Sequence, residues 1–391
     1  MGITSLRDLD VKGKRVLMRV DYNVPLGEAG AVKDDNRIRQ TLPSINHILK
    51  AGGSVVLMSH LGRPKGKVVP EMSLAPVARR LHELLGRPVK MLPDCIGPEV
   101  ERAIRAMKPG DVTLLENLRF HKEEEENEPA FAAELSKLGE VYVNDAFGTC
   151  HRAHASVVGP PAVMPAAAGL LVEKEVRYLG GLLRGAEHPF VALMGGKKVS
   201  DKIKVIENLL DLVDQLLVGG AMTYTFMAAK GEQVGKSLVF PEDLDLARAL
   251  LKKGGAKLVL PTDHVVADKF EAGAKTQMVT GAIPDGWAGV DIGPETRATY
   301  AHLIKIAKTV VWNGPVGIFE VKEFAAGTRA MCEAMAACQG QTVVGGGESA
   351  EAAGKFGVAD KLDHVSTGGG ASLEFLEGAP LPGIAALDKA K

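Results

Sequence analysis

Short apolar runs rich in valine and leucine recur along the chain, at 16–20, 55–58, 112–115, 141–143, 190–194, 216–218, 258–260, 310–312 and 343–344, with helical patterns between them. Runs this short and this uniformly apolar predict parallel strands buried on both faces. Their alternation with helices predicts an α/β fold. At 391 residues the length favours two domains, each able to bury its own core.

The conspicuous polar residues follow these runs directly. Arg19, Asp21 and Asn23 close the first, and His60 and Arg63 follow the second. Glu116, Asn117 and Arg119 follow the third; Asn144, Asp145, His151 and Arg152 follow the fourth. In the second half, 195–198, Gly219 and Gly220, Asp263, 313–315 and 345–349 take the same place. Open parallel sheets hold ligands outside the carboxyl ends of their strands, so the pattern predicts one functional edge in each half.

The two halves offer different chemistry at those edges. The first offers Arg19, Arg37, Arg63, Arg119 and Arg152, with His60 and His151 beside two of them. Guanidinium groups pair bidentately with carboxylate and phosphate, so a convergent set would hold a small polyanion. The second half offers FVALMGGKKVSDKIK at 190–204. There an apolar strand stops at Gly195 and Gly196, Lys197 and Lys198 follow, and Val199, Ile203, Ile206, Leu209 and Leu210 have helical spacing. A strand feeding a helix through glycines presents bare N–H groups, and ammonium groups beside them make a phosphate seat. Taken alone, the stretch fits an ordinary turn with surface lysines equally well.

Several patterns carry less than they promise. GEQVGKS at 231–237 has three residues between its glycines where a Walker A loop has four, and it follows a helical stretch. GGGESA at 345–350 fits the dinucleotide fingerprint, with Asp363 downstream, but lies near the end of its half. His151 and His154 have metal-pair spacing without a third ligand, which favours hydrogen-bonding roles. The run KEEEENE at 122–128 reads as a solvated loop.

Between the halves, Pro160, Pro161 and Pro165 predict a linker. Val172, Val176, Leu179 and Leu183 then mark one helical face. That helix either bridges two domains or is buried in the second. From about 376, glycines and prolines predict an extended tail.

Composition narrows the classes. A net charge of −1 supplies no global field for nucleic acid or anionic membrane, and no apolar run reaches the length of a membrane span. The start MGITSLRDLD lacks the apolar core of a signal peptide. Cys95, Cys150, Cys332 and Cys338 form no CxxC and no Cys–His spacing typical of zinc, so free thiols in a reducing cytoplasm are expected.

One set of blocks resembles a known family. RVDYNVP (19–25), SHLGRP (59–64), ENLRF (116–120), NDAFGTCHRAHAS (144–156), VSDKI (199–203), VWNGPVGIFE (311–320), GGGES (345–349) and HVSTGGGASLEFLEG (364–378) together resemble phosphoglycerate kinases, from near the N-terminus to the tail. The resemblance implies two Rossmann-like three-layer α/β domains with parallel sheets, joined by an interdomain helix. Its boundaries are a phosphoglycerate-binding domain at 1–168, a hinge helix at 169–185, a nucleotide-binding domain at 186–375 and a tail at 376–391 packing back toward the first domain. It implies phosphoryl transfer between 1,3-bisphosphoglycerate and ADP, giving 3-phosphoglycerate and ATP with Mg²⁺, in a cytoplasmic monomer with no nucleic-acid or membrane partner.

Carried over by motif, Asp21, Asn23, Arg37, His60, Arg63, Arg119 and Arg152 would hold phosphoglycerate. Gly195, Gly196, Lys198, Lys202, Gly219, Gly220, Gly289, Asn313, Glu320, Gly346, Gly347, Glu348 and Ser349 would hold nucleotide. Arg37, Lys198, Gly346 and Gly369 would serve the transfer, and Glu348 would hold the metal. Two positions depart from the family's usual pattern. Lys197 stands where a small residue is usual, and Glu348 where aspartate is usual, which moves the carboxylate by one methylene. The alternatives are an NAD-dependent dehydrogenase, resting on 345–350, and an inactive homologue that only binds.

Overall fold

The computed structural model describes residues 2–27 and 30–388. The chain divides into two compact units, one of residues 1–177 with 380–391 and one of residues 178–379. Each is built on its own six-stranded parallel sheet, in agreement with the α/β expectation.

The first sheet has the order β3-β4-β2-β1-β5-β6, from β1 (Arg15–Val20), β2 (Ser54–Met58), β3 (Val89–Met91), β4 (Val112–Leu114), β5 (Val141–Asp145) and β6 (Ala166–Ala168). β2 and β5 are buried along their whole length because helices cover both faces, which is why they read as continuous apolar runs. β1 pairs with β2 on one side and β5 on the other, so the winding reverses beside β1. The proline-rich stretch is not a free linker. It holds a short helix, Ala155–Val158, a 3-10 turn, Pro160–Ala162, and then β6 as an edge strand. Three small alanines gave β6 no apolar signature. The tail also has regular structure: helix Pro382–Ala385 lies in the first unit, where Gly383 N–H donates to the Cys150 carbonyl at 2.8 Å.

In the second unit the main sheet has the order β15-β14-β13-β7-β8-β9, from β7 (Phe190–Met194), β8 (Gln215–Val218), β9 (Leu258–Val259), β13 (Thr309–Asn313), β14 (Gln341–Gly345) and β15 (His364–Val365). Its winding reverses between β7 and β13. A second sheet of three antiparallel strands, β10 (Asp263–Ala267), β11 (Thr276–Thr280) and β12 (Ala288–Ile292), went unread in the sequence. β11, TQMVT, is almost wholly exposed, and β10 and β12 are buried but carry Asp263, His264 and Asp291 among few apolar residues. Asp263, expected to follow a strand, instead begins β10. Its carboxylate caps the helix Pro294–Ile306, accepting from Thr296 N–H at 2.8 Å and Glu295 N–H at 2.9 Å.

The division between units falls inside the helix Leu170–Gly185. Among the described residues no helix is long and apolar enough to cross a membrane.

Candidate active site

The first unit gathers arginines at the carboxyl end of its sheet. Arg37, on the helix Asn36–Lys50, donates to Asp21 Oδ2 at 3.1 Å and to the Asn23 carbonyl at 3.0 Å. Asn23 in turn accepts from Gly62 N–H at 2.9 Å, and Arg119 donates to the Gly62 carbonyl at 2.9 Å. Arg152 donates to His151 Nε2 at 3.1 Å. One loop system therefore connects Asp21, Asn23, Arg37 and Arg119.

Two imidazoles report how positive this edge is. His60 is buried, and its pKa lies well below the usual histidine value, through burial first and then the charges of Arg19, Arg119 and Arg37. His154 is lowered to about 3, by burial and then by Arg19, Arg119 and Arg152. Both rings are neutral at physiological pH and offer an N–H without adding charge. The sequence named these arginines; loop contacts through Asn23 and Gly62 link Arg37 with Arg119, and the charge of Arg119 acts on His60 together with Arg37 and on His154 together with Arg152. Arg63 is exposed on the loop after β2, and no described contact joins it to the others.

Two side chains here differ from their sequence readings. Arg19 is wholly buried: Nε donates to Ser156 Oγ at 2.8 Å, Nη1 to the Val20 carbonyl, and Nη2 lies 3.3 Å from His60 Nδ1. It braces the site and cannot reach a ligand. Glu124, from the supposedly solvated run, is its counter-ion at 3.9 Å and accepts from Ser156 N–H and Oγ at 2.9 and 2.6 Å. Nothing in the run 122–128 distinguishes Glu124 from its four exposed or half-exposed acidic neighbours, so no local signal could have found it.

The second unit builds its site from backbone. A cleft of about 490 Å³ is lined by Gly196, Lys197, Gly220, Gly289, Glu320 and Glu348, among others. Its other walls are apolar, with Tyr224, Leu238, Phe270 and the stretch 315–318. Leu238 and Phe270 are large apolar side chains left 37% and 53% exposed, and sequence reasoning missed both. Their exposure was the available signal, and it exists only in the folded unit.

Gly195 lies at the winding reversal. A Cβ there would stand 2.0 Å from the Pro315 carbonyl oxygen, so the ends of β7 and β13 approach closely only because this residue is glycine. Gly195 N–H donates to the Asn313 carbonyl at 2.9 Å, and Gly219 N–H to the Met194 carbonyl at 2.9 Å. Lys202 donates to both the carbonyl and the side-chain oxygen of Asn313. Burial lowers the Lys202 pKa to about 8, against the opposing charges of Glu348 and Asp201. Asn313 is buried, and its Nδ2 has no partner among the described residues. A Cβ at Gly346 would lie 3.0 Å from that nitrogen, and Gly346 has φ +92°, which admits glycine with little strain. An unpaired buried donor beside an ammonium suits an anion.

Three expectations shift in this unit. The helix after β7 begins only at Ile203, so Gly195–Gly196 and Lys198 stand on a loop and not at its first turn. Lys198 leans over the Phe240 ring at 4.5 Å, with its ammonium 3.5 Å from Glu242, while Lys197 lines the cleft. Ser349 is fully buried and accepts from Gly314 N–H at 2.6 Å, so its hydroxyl holds the loop and is closed to a ligand. Gly347 opens the helix Gly347–Lys355, and Gly369, with φ +46°, precedes the helix Gly370–Leu376. Asp363 accepts from Thr342 N–H at 2.8 Å, at the amino end of β14. That is the end opposite Gly346, which removes the ribose carboxylate a dinucleotide fingerprint needs.

A family model for phosphoglycerate kinase matches residues 6–379. The chain belongs to the phosphoglycerate kinase family. Relatives of that name include proteins of Moorella thermoacetica, 57% identical over 99% of both chains, and Chloroherpeton thalassium, 58% identical over 98% of both. Among solved structures, phosphoglycerate kinase from Coxiella burnetii superposes with a TM-score of 0.89 at 43% identity, covering 99% of this chain and 98% of that one. The enzyme from Pyrococcus horikoshii gives 0.88 at 32% identity, covering 98% of each. Family membership agrees with the motif reading and displaces the dehydrogenase alternative.

Proposed function

We propose that this chain transfers a phosphoryl group reversibly between 1,3-bisphosphoglycerate and ADP, giving 3-phosphoglycerate and ATP. One observation carries the reading: in a chain of this family, arginines and two neutral imidazoles crowd the ligand edge of one sheet. In the reverse direction the nucleophile is a carboxylate, ionised at neutral pH with a pKa of roughly 3–4, so no general base is required. Positioning and charge stabilisation carry the reaction.

In this reading Asp21, Asn23, Arg37, His60, Arg63, Arg119 and Arg152 bind phosphoglycerate. Asp21 and the Asn23 carbonyl orient Arg37, leaving the rest of its guanidinium for the transferring group. The apolar walls at Tyr224, Leu238 and Phe270 take the base and ribose of the nucleotide. Lys198 leaves Phe240 and Glu242 to meet the phosphates, joined by N–H groups near Gly346, Gly347 and Gly369. Lys202 and the free Nδ2 of Asn313 add charge and a donor. Glu348 is exposed in the first turn of its helix and makes no ion pair with a described residue. A lone carboxylate of this kind fits Mg²⁺ that keeps most of its ligands as water and phosphate. Bound there, the ion would neutralise nucleotide charge. Hinge bending at the helix Leu170–Gly185, a cytoplasmic location and a monomeric state belong to the same reading.

A coupled assay of ATP-dependent phosphorylation of 3-phosphoglycerate tests it. Turnover that requires Mg²⁺ is expected. Tight binding of both substrates without turnover would identify an inactive homologue instead.

A further inference from the structure

Asp94, Cys95 and His121 take no part in the site above. Asp94 and Cys95 follow β3, and His121 closes the 3-10 turn Leu118–Phe120 that follows β4. β3 and β4 are parallel neighbours, so their carboxyl ends bring these distant residues together. One carboxylate oxygen, the thiol sulfur and one ring nitrogen all lie within 4.8 Å of one another.

Two of the three are already oriented. His121 Nε2 is 2.7 Å from Asp94 Oδ1, which also accepts from Cys95 N–H at 2.6 Å. The His121 ring leans on Phe131, centroids 5.4 Å apart. Metal–ligand distances of about 2.0–2.3 Å place the donors of a tetrahedral site roughly 3.3–3.7 Å apart, so side-chain rotations of about 1 Å that open the Asp94–His121 pair and bring the thiol within that range reach this geometry.

We propose that Asp94, Cys95 and His121 form a binding site for a divalent transition-metal ion of the zinc class, with water in the remaining position. An oxygen, nitrogen and sulfur set selects zinc or cobalt over Mg²⁺, which separates this site from Glu348. Cys95 is fully buried, whereas the side chains of Asp94 and His121 are 48% and 26% exposed, so the ion enters from the carboxylate and imidazole side. On binding, the Cys95 S–H bond breaks, its proton leaves to solvent and a sulfur lone pair goes to the metal. His121 Nε2, whose proton points at Asp94 Oδ1, releases that proton to solvent or shifts to the tautomer protonated at Nδ1, and the Nε2 lone pair then goes to the metal. No Cys–His spacing advertised the site, because two strands assemble it. An ion here would tie the turn after β3 to the segment that carries Arg119.

The test uses the full chain, stripped with chelator and titrated with Co²⁺. One equivalent is expected to produce the thiolate-to-cobalt charge-transfer band and the intense visible absorption of tetrahedral cobalt, both abolished by Zn²⁺ in competition. Cys95→Ala removes the charge-transfer band. Asp94→Asn and His121→Gln weaken cobalt binding by at least about 10–100-fold, the loss usual for outer-shell partners alone. If Cys95→Ala does not fold, these two variants at partly exposed positions decide. Absence of the band, a band that survives in Cys95→Ala, or unchanged affinity in both partner variants overturns the proposal.

Discussion

The two units meet the same problem, holding a phosphate-bearing anion, by opposite means. The first uses side chains. Arg37, Arg119 and Arg152 lie near His60 or His154, and Arg19, buried behind them, is paired with buried Glu124. The second uses backbone. Glycines admit close approach between β7 and β13, and Lys202, Lys198 and Lys197 supply positive charge nearby. A site built from side chains is sensitive to charge and pH; one built from backbone is sensitive to volume.

The largest predicted effect breaks the side-chain site at its most oriented member. Arg37→Ala should lower kcat by about 10³-fold or more, the range of transition-state arginines, with little change in nucleotide KM. Retention of most of kcat, measured at saturating substrates, would take Arg37 out of the chemistry. Next, Glu124→Gln leaves Arg19 buried without a counter-ion and should cost about 3–5 kcal/mol in denaturant unfolding. An unchanged midpoint would mean that Arg19 is neutralised elsewhere.

Two pH predictions follow from the same contrast. His60 and His154 have folded pKa values below their unfolded value, so the unfolded chain binds more protons in acid. Stability should therefore be full above about 6.5, the ordinary histidine value, and be lost as pH falls from there toward about 3, the folded value of His154. His154→Gln should flatten that slope in acid unfolding curves. In the backbone site, an anion favours charged Lys202, whose free pKa is about 8. Nucleotide affinity should then weaken above about pH 8, by up to about tenfold per unit, and Lys202→Met should abolish the inflection in calorimetric titrations.

The smallest effect sharpens the volume argument. Phe270→Ala trims an exposed apolar wall and should raise nucleotide KM by about 5–10-fold, as expected for partial loss of apolar contact, with kcat kept. A fall in kcat of similar size would place Phe270 nearer the chemistry than the cleft suggests.

Much was legible in the chain alone, and for a physical reason. Strands buried on both faces must be continuously apolar, so β1, β2, β5, β7 and β13 announced themselves. A residue that lets backbones touch must be glycine, so Gly195, Gly220 and Gly346 were visible as motifs. Arginine is the residue that forks onto carboxylate and phosphate, so Arg37, Arg119 and Arg152 stood out by type.

What the fold alone decided was which of these residues share an environment. Arg19 and Arg119 look alike in sequence and both are buried, yet Arg19 is paired with buried Glu124 whereas Arg119 meets exposed Glu125 and the Gly62 carbonyl. Glu124 is indistinguishable from Glu123 or Glu125 until burial pairs it with Arg19. Short or exposed strands such as β6 and β11 left no apolar trace. Asp94, Cys95 and His121 became neighbours only when β3 paired with β4. Local patterns fix what a residue can do because backbone geometry and side-chain chemistry are local; which groups meet, and in what dielectric, depends on contacts far apart along the chain.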